Sequence, residues 1–110
     1  MSVGAHIQFV SEDKESLYFP LATEMDFANH WVPAAEKQGL KWMPQFQTGV
    51  LVSFDDLDTV LEEFRFLRMD FEKRGAVGES LWENFVGRID RVLALFSNLD
   101  RSEIGEIFIG

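Results

Sequence analysis

The chain has 110 residues, with 19 acidic against 10 basic side chains, a formal net charge of −9 and no cysteine. That charge excludes phosphate backbones and anionic membranes as partners, because both would repel it. The missing cysteine excludes a disulfide framework and thiol chemistry.

A chain of this length is expected to form one domain over residues 1–110, burying roughly two-thirds of its unfolded surface. Eleven Phe and three Trp supply a core and argue against disorder. The acidic surplus fits solubility, and equally a basic partner drawn in by the field. The opening stretch, MSVGAHIQFVSEDKES, has neither a basic leader region nor an apolar one. No apolar run approaches membrane-spanning length, so a cytoplasmic location is expected.

In chain order, His6 to Val10 alternates apolar and polar, the pattern of a half-buried strand. Ser11 to Glu15 has the length of a hairpin loop, and strand character resumes over Ser16 to Phe19. Pro20 confines that strand to an edge or ends it, since it cannot donate to a ladder. Thr23, followed by Glu24 and Asp26, reads as a helix start, with Met25, Phe27, Ala28, Trp31 and Val32 as the apolar face. Pro33 either kinks this helix or opens a second one to Gln38, and Gly39 is a natural stop. Lys41 to Thr48 lacks a period and reads as a loop or irregular extended segment.

Gly49 to Arg74 reads as a buried strand, Val50 to Phe54, turning directly into a long amphipathic helix capped by Asp55 or Asp56. Leu57, Val60, Leu61, Phe64, Leu67 and Phe71 recur at three- and four-residue spacing and form its core face. After a short turn at Gly75 to Gly78, Ser80 with Glu83 makes a capping-box pattern. The helix that follows carries Trp82, Phe85, Val86, Ile89, Val92, Leu93 and Phe96 on one stripe. Two long helices joined by a short turn should lie antiparallel. The apolar tail, Ile104 to Ile109, is expected to pair as a last strand. The result is an α+β fold: a small mixed or antiparallel sheet of about four strands against a two-helix hairpin, with a shorter N-terminal helix.

No chemistry is named by these residues. His6 and His30 are not in metal-ligand spacing, no GxSxG or glycine-rich phosphate loop occurs, and the acidic Asp55-Asp56-Leu57-Asp58 lacks the glycine and terminal Glu of a calcium loop. No catalytic residue, metal or cofactor is expected. Two features stand out instead. Asp55, Asp56, Asp58, Glu62 and Glu63 open the long helix without a basic residue among them, which suits the helix dipole and also a cationic partner. Phe66 lies about half a turn from the apolar stripe, facing solvent, a second layer of the same protein or a partner.

GVLVSFDDLDTVLEEFRFLR, a strand ending in Ser-Phe-Asp before a Leu–Leu–Glu–Phe helix, resembles a segment of small immunity proteins from bacterial polymorphic-toxin systems. The resemblance spans about twenty residues. It implies a few-stranded sheet with one or two helices that blocks a secreted toxin, and no enzymatic activity. With the charge, it leads to the expectation of an acidic inhibitor of a cognate basic toxin, plausibly a nuclease, acting as a monomer or homodimer. The binding set would be the five carboxylates, with Phe66, Trp31 and Trp42 as anchors. Two alternatives stay open: a homo-oligomeric structural or regulatory domain using Phe66 and the C-terminal strand, and a ligand-binding or enzymatic domain with a pocket between Trp31, Trp42 and His30.

Overall fold

The computed structural model describes residues 2–75 and 80–110, so the expected turn at Ala76 to Gly78, with Glu79, lies outside the described residues. Strands β1 (Ser2–Phe9) and β2 (Leu17–Thr23) form the opening hairpin. Helix α1 (Glu24–Asp26) passes through a π-helical turn, Phe27–Trp31, into α2 (Val32–Lys37). A 3₁₀ turn, Met43–Gln47, leads to β3 (Val50–Leu51) and α3 (Phe54–Gly75). Then come α4 (Ser80–Asn98), a 3₁₀ turn at Arg101–Glu103 and β4 (Ile104–Ile109). The fold is α+β, as expected, and its sheet is antiparallel throughout, in the order β2-β1-β4-β3.

Local chemistry accounts for the helix boundaries. The Thr23 hydroxyl accepts from the Asp26 N–H at 3.0 Å, capping α1 as its position implies. Pro33 sits in the first turn of α2, as expected of a proline that opens a second helix, although the helical backbone runs on into it from the π turn. The widened π turn lies just before it, where the ring and the missing N–H spoil regular i→i−4 bonding. Gly39 ends α2 at φ +73°, donating to Glu36, while Leu40 donates back to Ala35 at 2.9 Å.

The sheet departs from expectation at β3. It is a two-residue edge strand with one further bond, Val52 N–H to the Ile107 carbonyl at 2.9 Å, rather than a buried strand to Phe54. Leu51 is exposed on the outward side of this edge strand, and Phe54 because the chain has left the sheet for α3 before reaching it. Helix α3 accordingly starts at Phe54, with Ser53 before it donating its hydroxyl to Asp56 at 2.9 Å. Asp55 and Asp56 sit inside the first turn rather than at the cap. The last strand does pair, but between β1 and β3, with Gly4 and Gly110 exchanging both backbone bonds. Its β1 edge is paired along the strand, while β3 covers only Ile107 to Ile109 on the other edge.

One face of the sheet, with Val3, Ala5, Ile7, Ile107 and Ile109, is buried against the helices. The helical pair is antiparallel: Gly75 meets Trp82, Arg68 pairs with Asp90, and Asp58 reaches Arg101 just beyond the end of α4. Leu57, Val60, Phe64, Leu67 and Phe71 from α3 meet Phe85, Ile89, Val92 and Phe96 from α4 in one continuous core.

The outer face carries Tyr18, His6, Phe108 and Leu51 as one cross-strand row. The neighbouring row, Pro20, Gly4, Gly110 and Gly49, is nearly bare backbone. Gly49 sits at φ +98°, and a Cβ there would come within 2.6 Å of the Phe108 ring. Gly49→Ala should therefore cost about 1–3 kcal/mol, through positive-φ strain and displacement of that ring. Urea melts of the two proteins check this, and a cost near zero would show that the ring is not held there.

Candidate partner-binding surface

Helix α3 buries one stripe and presents the other outward. At 100° per residue, Asp55, Asp58, Glu62, Phe66, Met69 and Lys73 follow one another along its outer side, each three or four positions after the last. The stripe reads acidic at its N-terminal half, apolar at Phe66 and Met69, then basic at Lys73. Phe66 is 44% exposed and Met69 53%, so neither is covered by the N-terminal helices. Beside them, Gly39, Leu40 and Lys41 form the far wall of an open groove of about 520 Å³ floored by α3 at Asp58, Thr59, Glu62 and Glu63. Met69, Lys73 and the Gly39–Lys41 wall are additions to the sequence-based set. Extending the three-four spacing past Phe66 would have found the first two, whereas the wall depends on tertiary packing.

The carboxylates differ in their commitments. Asp58 accepts from Arg101 at 2.7 Å and Glu62 from Arg65 at 3.2 Å, both exposed. Asp56 is half-buried and holds Ser53. Asp55 is exposed and has no ion pair among the described residues. Pairs in contact with water are weak and exchangeable, since solvent and salt screen them.

Two of the expected binding residues are structural instead. Glu63 is 7% exposed, the one charged side chain buried among the described residues. Its carboxylate turns inward to accept the backbone N–H groups of Lys41, Trp42 and Met43 at 3.0–3.3 Å. It lies at the margin of the apolar stripe and closes the unpaired start of the 3₁₀ turn, where helical geometry leaves donors free. Trp31 is fully buried, enclosed by Phe27, Phe71 and Phe85 at ring separations of 5.4–5.6 Å. It is neither an anchor nor the wall of an open pocket, and His30 packs edge-on against Trp82 rather than toward Trp42. Trp42 is half-buried, its backbone tied down by Glu63.

The Arg101 guanidinium, first by hydrogen bonding and then by its charge, holds the Asp58 carboxyl below its ordinary 3.8. A depressed carboxylate pKa adds stability above the unfolded value, and that contribution is lost as pH falls through the folded one. Asp58 should thus titrate below 3.8 by NMR, and Arg101→Gln should raise its midpoint. An unmoved midpoint would mean that the pair does not persist in solution.

No family model, curated protein or solved structure matches this chain. No described helix is long and apolar enough to cross a membrane.

Proposed function

We propose that this chain is a non-enzymatic binding protein of the cytoplasm that neutralises a cognate cationic protein toxin by covering it with the outer stripe of α3. The reading rests on one observation: acidic Asp55, Asp58 and Glu62 run straight into an uncovered Phe66–Met69 pair beside an open groove. The carboxylates steer a basic surface inward, and such complementarity raises association rates and enforces partner choice more than it adds affinity. The partner's Lys or Arg side chains would take Asp58 and Glu62 from Arg101 and Arg65. A nuclease whose cations otherwise hold phosphates is the toxin class that this chemistry fits best. Affinity would come from the desolvated phenyl ring and the adaptable thioether beside it.

The test uses the protein encoded beside this chain. Its expression alone should arrest growth, and co-expression of this chain should relieve the arrest. Asp55→Lys, Asp58→Lys and Glu62→Lys together should slow association at least about tenfold at low salt, by losing the steering field. Phe66→Ala should raise Kd about tenfold or more while lowering stability by under about 1 kcal/mol, as an exposed ring should. A neighbouring protein without toxicity defeats the reading, and so does binding that neither variant changes.

A further inference from the structure

The sheet's outer face carries a second feature, independent of α3. Tyr18, 47% exposed, and Phe108, 37% exposed, lie on the strands either side of β1, with His6 between them. His6 is 4.5 Å from the Tyr18 ring and 5.7 Å from Phe108, centroid to centroid. Both outer rings are laid down on the sheet rather than standing away from it. A Cβ at Gly4 would come within 2.7 Å of Tyr18 Cε1, and one at Gly110 within 2.9 Å of Phe108 Cζ. The bare glycine row is what lets the ends of both rings reach down over the backbone while leaving each ring partly exposed.

Size and charge select the occupant. Four strands by three outward residues give roughly 19 × 14 Å, or roughly 270 Å². A stable dimer needs about 800 Å² from each partner, so a second copy is a poor fit. Among the outward residues of these rows Glu106 alone is formally charged, paired across from Gln8, and no Lys or Arg is present to hold a phosphate. Around the rings stand sugar-compatible donors and acceptors: Gln8, His6, and the Tyr18 hydroxyl bonded to Ser2 Oγ at 2.6 Å.

We infer that this face binds a neutral glycan, its pyranose rings stacking their C–H faces on Tyr18 and Phe108. The two rings stand about 10 Å apart, two strand spacings, so one unit of a linear glycan bridges the two stacked ones. Hydroxyls at the ring margins meet Gln8, His6 and Tyr18.

The probe is cellohexaose, with maltohexaose as a second linkage, titrated at millimolar concentration and followed by amide NMR shifts and calorimetry. Saturable shifts centred on His6, Tyr18, Leu51 and Phe108 with either sugar are expected. Tyr18→Leu or Phe108→Leu keeps an apolar cover over the glycines but removes the flat ring, and should weaken binding about tenfold or more, as losing one stacking platform does. Phe66→Ala should leave it unchanged, which separates this face from the α3 surface. The inference is overturned by silence with both sugars, by leucine variants that bind as tightly as the parent, or by self-association that those variants abolish.

Discussion

Trp31→Ala should cost roughly 3–5 kcal/mol, the largest effect of any substitution considered for this chain. The indole is fully enclosed, and its removal leaves a cavity bounded by Phe27, Phe71 and Phe85 on three different elements that cannot all collapse inward. Trp31→Phe should behave differently. The indole Nε1 has no hydrogen-bond partner among the described residues, so the wild-type residue carries an uncompensated donor there. A phenyl ring keeps much of the contact and deletes that donor, so the cost should fall to about 1 kcal/mol or less. Chemical denaturation of the two variants checks the pair. Equal, large losses would mean that indole volume alone matters and the orphaned N–H is inconsequential.

Glu63→Ala should remove roughly 3 kcal/mol, lowering the melting midpoint by roughly 10–20 °C. Three backbone N–H groups converge on this one carboxylate, and the Met43 donor is fully buried. Losing the acceptor leaves donors stranded where water reaches them poorly, which costs more than the bonds themselves contributed. Glu63→Gln should fall between: its amide oxygen still accepts, but its NH₂ is forced against other donors. Hydrogen exchange offers a local readout. The Trp42 and Met43 amides should lose protection in Glu63→Ala before the β1–β4 ladder does. Simultaneous loss would mean that Glu63 is not specifically holding the 3₁₀ segment.

Much of the architecture was legible because it is locally encoded. The apolar spacing of Leu57 to Phe71 and of Phe85 to Phe96 marks α3 and α4. Thr23 and Gly39 mark a helix start and stop by side-chain oxygen and positive φ, both properties of single residues. Strand order was not legible, because nothing in Ile104–Ile109 says that it inserts between β1 and β3 rather than joining an edge. The length of β3 was obscured too, since an apolar run does not reveal where its backbone turns into a helix. At the surface, the acidic run and Phe66 were legible as two separate features, and only the helix geometry puts Asp55, Asp58, Glu62 and Phe66 on one face. Glu63 was misread because an isolated helix cannot show that a loop twenty residues earlier would deliver its N–H groups. Trp31 was misread as a possible anchor because aromatic content does not distinguish an exposed ring from a deeply packed one.

The pairing of β1 with β4 has a consequence for biosynthesis. The sheet's middle ladder joins β1 to β4, with β2, the helices and β3 between them in sequence, so β4 must be synthesised before that ladder can close. Until then the oily sides of α3 and α4 have no finished floor beneath them, and a nascent chain would be a substrate for holdase chaperones. Slowing the codons of β4 should accordingly lengthen this vulnerable interval, while a lesion confined to β2 should leave its duration unchanged.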